Sequence, residues 1–324
     1  MNTLLMKALP IKTLFIIDPI ETLNFYKDSS IMMMQAAQEK KWHVFYATLD
    51  DISVLDGTAF ALATQVEVHS TQQNDYTVLH NERYSLEHFK VIFMRKEPPF
   101  DLEYIYGTYA LELAEKKGSL VVNSPQALRD ANEKFFITNF PELTPKTLIT
   151  RRKSDVKAFL NEHKDIILKP LDGMGGASIF RVKLNDPNFN VIFETLTNHE
   201  QQFAMIQKFM PEITDGDKRV IIINGIPIDY CLARLAAKGE TRANLAAGGR
   251  GEVRKLNEIE RKIAETLSPT LKKMGILFAG VDIIGDKITE INITCPTCLR
   301  EIHTETGVNA ALLLMDAIEK KLSH

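Results

Sequence analysis

Asp282, Glu290 and Asn292 stand together in the run DIIGDKITEIN, and their types and spacing suit divalent-metal chemistry. Residues 276–284 and 287–294 both have the apolar content of strands, and Gly285-Asp286 between them is a tight-turn pair that signals a hairpin. Side chains two apart on a strand share a face, roughly 6.6 Å apart. Glu290 and Asn292 therefore project together, Asp282 reaches the same face from the partner strand, and Ile291 and Ile293 point into an apolar layer. Two carboxylates and an amide carbonyl are hard oxygen donors, the kind magnesium takes beside water and nucleotide phosphates. Taken alone, the segment is equally compatible with a solvated hairpin face.

A second chemical signal is IILKPLDGMGGAS, residues 166–178. An apolar strand ends in Lys169, and a turn containing Gly173, Met174, Gly175 and Gly176 leads to the next strand. Glycines allow successive backbone N–H groups to converge on one anion without side-chain obstruction. Because the turn joins strand to strand, it is neither a Walker A loop nor a dinucleotide fingerprint, both of which open a helix. Lys169 can balance phosphate charge beside such a nest, and Lys134, after Asn132, can supply a second ammonium. Gln207-Lys208-Phe209-Met210 ends a further strand and runs through Pro211 toward the next part of the chain. A segment of that kind can bind an adenine edge through its backbone and cover the ring with apolar side chains, and Asp217 can take ribose hydroxyls.

The third signal is arginine placement. Arg219, Arg234, Arg242 and Arg250 lie on two predicted strands and a glycine-rich run. Strand arginines among apolar residues are costly unless paired. In a cleft, Arg219 and Arg234 would bind substrate carboxylates, and Arg242 or Arg250 would neutralise a developing phosphoryl charge. Arg95 follows the apolar strand 91–94, where an arginine can clamp a carboxylate through two parallel hydrogen bonds or form an ordinary surface ion pair.

These residues need a frame. Predicted strands over 12–18, 43–49, 91–94 and 119–122 alternate with helices over 29–41 and 104–117, the pattern of an open, mostly parallel α/β sheet that binds ligands beyond its strand carboxyl ends. From Leu143 the pattern changes to short strands (146–149, 166–169, 179–182, 204–207) around helices at 154–162 and within 188–196, which predicts a small α+β lobe. A hairpin over 219–223 and 227–235, a polar run over 236–251, a helix over 257–273, the metal hairpin and a closing helix from 307 to 322 complete the chain. A sixteen-residue polar run is long for a loop, and such loops are usually lids or binding segments.

Composition narrows the class. The 324 residues are 45% hydrophobic and 25% charged with net charge −3, which gives nucleic-acid binding no electrostatic support. No apolar run is long enough to span a membrane, and Met1–Pro10 reads as a disordered extension without a signal-peptide cleavage site. Three cysteines point to a reducing compartment. Cys295 and Cys298 form a C-x-x-C that lacks the further ligands of a zinc site, and it reads as two small residues in a loop.

The ordered set of lysine, glycine turn, interlobe strand, arginine hairpin, polar loop and Asp…Glu-x-Asn hairpin resembles an ATP-grasp ligase. The runs MRKEPPFD, NSPQALRDANEK, DIILKPLDGMGGASIFRV, NLAAGGRGE and GVDIIGDKITEINIT are similar to those of the bacterial glutathione synthetases, over nearly the whole chain from Ile11. Cys295 departs from the serine expected there. The resemblance implies an N-terminal substrate domain over 11–130 and an ATP-grasp domain over 131–324, with a small lobe near 143–210 and a large lobe near 211–324 that includes loop 236–251. It implies a cytoplasmic homotetramer that uses ATP to join γ-glutamylcysteine to glycine through an acyl phosphate, without nucleic-acid or membrane partners. It also implies roles. Asp282, Glu290 and Asn292 would hold two Mg²⁺, with Mn²⁺ as a substitute. Lys134, Lys169, Gly173–Gly176, Gln207–Met210, Asp217, Arg242 and Asn292 would bind ATP. Arg95, Arg219 and Arg234 would bind the dipeptide, and Arg219, Arg234 and Arg242 would serve catalysis. Another carboxylate–amine ligase of the superfamily, or an ATP-binding module without catalysis, is the alternative.

Overall fold

The computed structural model describes residues 10–237, 243 and 248–323. The expected Met1–Pro10 extension, apart from Pro10, falls outside this range.

The first part of the chain builds β1 (Lys12–Ile16), α1 (Ser29–Glu39), β2 (His43–Ala47), β3 (Ile52–Leu55), β4 (Thr58–Val68), β5 (Tyr76–Ser85), β6 (Val91–Met94), α2 (Leu102–Lys116), β7 (Leu120–Val122) and α3 (Pro125–Asp130). Strands β2-β1-β6-β7 are parallel. They are continuous apolar runs, as expected of strands buried on both faces. The helices begin where capping residues stand: Asp28 accepts from the backbone of Ser30 and Ile31, and Asp101 from Tyr104.

The open α/β sheet is as expected, and its antiparallel strands lie to one side of the parallel ones. Strand β4 runs antiparallel to β2 and pairs on its other contacts with β3 and β5, so the seven-stranded sheet is mixed. The segment 52–85 carried the signal for this. Asp56-Gly57, both with positive φ, turns β3 into β4, the pair that hairpin turns prefer, and β4 then alternates buried and exposed residues along most of its length.

The second sheet has the order β10-β9-β11-β8 and is antiparallel, from β8 (Thr147–Thr150), β9 (Asp165–Pro170), β10 (Phe180–Lys183) and β11 (Ala204–Lys208). Helices α4 (Lys153–His163) and α5 (Phe189–Thr197) cover it. The face under the helices has its own core, which includes Val156, Ile166, Leu168, Phe193 and Ile206, while Met205 of β11 on the other face joins the larger apolar interior.

The third sheet has the order β14-β13-β12-β15-β16, from β12 (Asp217–Ile223), β13 (Ile226–Leu235), β14 (Arg250–Lys255), β15 (Phe278–Ile284) and β16 (Lys287–Asn292). Helix α6 (Glu258–Lys273) packs on it, opened by a reciprocal Asn257–Glu260 capping box. The expected closing helix is two: α7 (Leu299–Thr306) stops at Gly307 with φ +74°, and α8 (Ala310–Leu322) restarts under an Asn309 cap. A left-handed glycine terminates a helix, so Gly307 is a break and not a start. The first and third sheets share core clusters. Asn123 stitches them, donating to the carbonyls of Phe278 and Ile293 (2.7 Å each) and accepting from the backbone of Leu277 and Phe278.

Candidate active site

The hairpin β15–β16 has the register expected of it. Asp282 faces Glu290 and Gly280 faces Asn292, while Ile291 and Ile293 are fully buried on the opposite side. Its neighbour β12 sets Arg219 directly opposite Asp282. The guanidinium meets that carboxylate through two hydrogen bonds, Nε–Oδ1 at 2.5 Å and Nη2–Oδ2 at 2.9 Å. Arg234 adds a contact to Asp282 Oδ2 at 2.8 Å and another to Asp217 Oδ2 at 2.6 Å. Burial works against a charged Asp282, but the two guanidiniums outweigh it and hold the carboxyl well below its ordinary range.

Glu290 and Asn292 are different. Glu290 keeps access to the cleft and pairs with Lys134 Nζ at 3.1 Å. Asn292 donates Nδ2 to Gly280 O and Asp282 Oδ2, which leaves its carbonyl oxygen as the donor available to a cation. Among the described residues, no group of three or more His, Cys, Asp or Glu converges as a metal cluster. A magnesium ion bound through one or two protein oxygens plus substrate phosphates does not need one.

Two cavities meet over this hairpin. The larger, about 300 Å³, is lined by Glu97, Lys134, the Gly173–Gly176 turn, Arg219, Arg234, Glu290, Asn292, Cys295 and Cys298, among others. The smaller, about 110 Å³, shares Lys134, Ile179 and Glu290 with it and continues to Lys169, Gln207, Lys208, Phe209, Met210 and Asp217. Ile167, Ile179, Ile213 and Ile284 give the smaller cavity apolar walls. None of these four had been singled out from the sequence, because an isoleucine facing a ligand reads like any core isoleucine.

Lysines occupy the junction. Lys134 stands just before the short 3-10 turn Phe135–Asn139 and also bonds the Gly173 carbonyl, tying β16 to the glycine turn. Lys169 leaves β9 and donates to Thr289 O at 3.1 Å. Burial pushes its pKa down to about 8, against the pull of Glu290. Asp217 is pushed up to about 6, burial prevailing over Arg234. Its Oδ1 is buried without a partner, so a hydroxyl donor from a ligand would satisfy it.

Three candidate residues line neither cavity. Asp282 lies behind the arginines and lines neither cavity, with its oxygens engaged by Arg219, Arg234 and Asn292. It serves here as their counter-charge, and reaching a metal would mean releasing an arginine. Arg95 also lies behind the wall, donating to Ser30 Oγ (3.0 Å) and Pro296 O (2.9 Å), with Nη1 buried and unpartnered. Arg250 is exposed beside Glu252, away from both cavities. Arg242 and most of loop 236–251 lie outside the described residues, although Ala243 lines the smaller cavity.

Glu133 was missed. Its Oε1 accepts from Ile293 N (2.7 Å), Thr294 N (2.9 Å) and Thr294 Oγ1 (2.8 Å), and its carbonyl accepts from Ile291 N. It thereby fixes the end of β16, and only its position beside Lys134 hinted at this.

A small antiparallel lobe and a larger sheet that close a lysine-lined, glycine-capped cleft over an acidic hairpin define an ATP-grasp ligase. Solved structures agree on the fold: D-cycloserine synthetase DcsG superposes with TM-score 0.67 at 12% identity, covering 96% of this chain and 99% of that one. The ATP-grasp ligase PsnB, complexed with precursor peptide PsnA2 and AMPPNP, gives 0.62 at 15% identity, covering 97% and 98%. Sequence goes further. Models of the prokaryotic glutathione synthetase N-terminal and ATP-grasp domains match residues 11–129 and 133–307. The glutathione synthetase of Vibrio vulnificus (strain YJ016) is 53% identical over 312 residues, covering 96% of this chain and 98% of its own. That of Escherichia coli (strain K12) is 52% identical over 314 residues, covering 97% and 99%. The chain belongs to the prokaryotic glutathione synthetase family, and it is an ATP-dependent carboxylate–amine ligase.

Proposed function

We propose that the two meeting cavities join γ-glutamylcysteine to glycine at the expense of ATP, through an acyl phosphate. The observation that carries this reading is the meeting itself. Lys134 and Glu290 stand where an apolar-walled slot with a lysine, Lys169, opens into a chamber walled by Arg219 and Arg234.

In this reading adenine lies against Gln207–Met210 and the isoleucines, the ribose hydroxyls meet Asp217, and the phosphates lie between Lys169, Lys134 and the Gly173–Gly176 backbone. Glu290 and the Asn292 carbonyl would hold Mg²⁺, which supplies charge neutralisation for the phosphoryl group. The cysteinyl carboxylate lies beside Arg219 and Arg234, whose Nη1 atoms have no hydrogen-bond partner among the described residues. The carboxylate oxygen attacks the γ-phosphorus, the bond to the bridging oxygen breaks, and ADP leaves. The glycine amine then adds to the acyl carbon and phosphate departs, with the amine proton lost. No protein nucleophile is required, so the chain's contribution is positioning and charge balance. Arg242 would cover the acyl phosphate, and closure of loop 236–251 would exclude water.

Arg95, expected in the dipeptide site, lies behind its wall with Nη1 buried, so it would support that site through Ser30 and Pro296 and not touch the substrate. Division of the chain near residue 130 is supported by the gap between the two matched family domains. Mn²⁺ as a substitute ion, a homotetramer and a cytoplasmic setting are taken from the resemblance. ADP release measured with each substrate withheld in turn tests the function. Release should require γ-glutamylcysteine and reach full rate only with glycine. Equal turnover with a different acceptor amine, or none with this pair, would overturn it.

A further inference from the structure

Three carboxylates line the larger cavity: Glu97, Glu133 and Glu290. Two are engaged. Glu133 Oε1 holds the backbone after β16, and Glu290 pairs with Lys134. The Glu97 side chain, on the loop after β6, has no hydrogen bond or ion pair among the described residues, although its backbone N–H donates to Asp18 and its carbonyl accepts from Lys96. The fixed backbone aims a half-buried carboxylate into a chamber whose other walls carry guanidiniums. Nearby charge does not satisfy it. Burial, then Asp28 and Asp18, raise its pKa, against Arg95 and Lys96. Lys96 is itself paired to Asp18 at 2.8 Å, and Asp28 caps α1.

We propose that Glu97 is a specificity-determining residue that binds the α-ammonium of the γ-glutamyl group. The inference rests on the function proposed above and names the group that reads one end of its substrate. The dipeptide carries a single ammonium, and Glu97 is the cavity carboxylate left to meet it. A neutral end would leave Glu97 desolvated and unpaired, which is how a polar site rejects an analogue lacking the group it binds.

The test crosses one enzyme change with one substrate change. Wild type and Glu97→Gln are assayed with γ-glutamylcysteine and with glutarylcysteine, which lacks only the amino group. Wild type should favour the amino substrate in kcat/KM by roughly 20- to 100-fold, the range of a charge-assisted hydrogen bond. Glu97→Gln should lose most of that preference through the amino substrate alone, with ATP affinity and glycine KM unchanged. A preserved preference, or an equal loss on both substrates, would overturn the proposal. If wild type turns over neither, the functional reading fails and takes this one with it. Should Glu97→Gln fold poorly, Glu97→Asp decides instead: drawing the charge back must still lower use of the amino substrate selectively.

Discussion

At the scale of single residues, the hairpin carboxylates that look alike in sequence have different work. Asp282 is buried and balances two guanidiniums, whereas Glu290 faces the cleft with one ammonium partner. Asp282→Asn would leave two buried arginines short of counter-charge and should destabilise the fold by about 3–5 kcal/mol, read by chemical denaturation. Glu290→Gln should leave stability nearly unchanged while lowering turnover on the order of a hundredfold. Comparable stability losses in both variants would contradict this division. Lys169 supplies a pH signature. A lysine lowered to about 8 loses its charge as pH rises through that value, and in the proposed site bound ATP would hold it protonated. ATP affinity should therefore fall by up to about tenfold per pH unit above 8, and binding at pH 8, where the lysine is half protonated, should take up about half a proton. Calorimetry in buffers of different ionisation heat measures that uptake, and Lys169→Met should abolish it. Asp217, at about 6, titrates well below this window.

At the scale of elements, the site depends on strands that approach closely. A Cβ built on Gly280 of β15 would stand 2.7 Å from Arg219 Cδ and 3.2 Å from Pro296 Cβ. Gly280→Ala should thus displace Arg219 from Asp282 and reduce both activity and melting temperature, whereas Gly118→Ala, with nothing near its Cβ but a φ of +100°, should reduce stability alone. Equal activity losses would mean that Gly280 is a backbone effect only. The hairpin, its register and the strand-to-strand glycine turn were legible because two-residue alternation and turn residues are local signals. The partners of Asp282 were not, since pairing of β12 with β15 joins residues 63 apart in sequence. The same limit hid Glu133 and the orientation of Arg95. The β3–β4 turn at Asp56-Gly57 is a local signal of the same kind.

At the scale of the whole molecule, the small lobe has its own core, while the first and third sheets share theirs. The smaller cavity lies between the small lobe and the third sheet, with Lys169 reaching from one to Thr289 of the other. The central event of the proposed reaction is transfer of the γ-phosphoryl group to a substrate carboxylate. The most direct measurement uses γ-glutamylcysteine labelled with oxygen-18 in its cysteinyl carboxylate. With ATP, Mg²⁺ and glycine, released phosphate should carry one labelled oxygen per peptide bond formed; phosphate free of label while glutathione accumulates would contradict the mechanism.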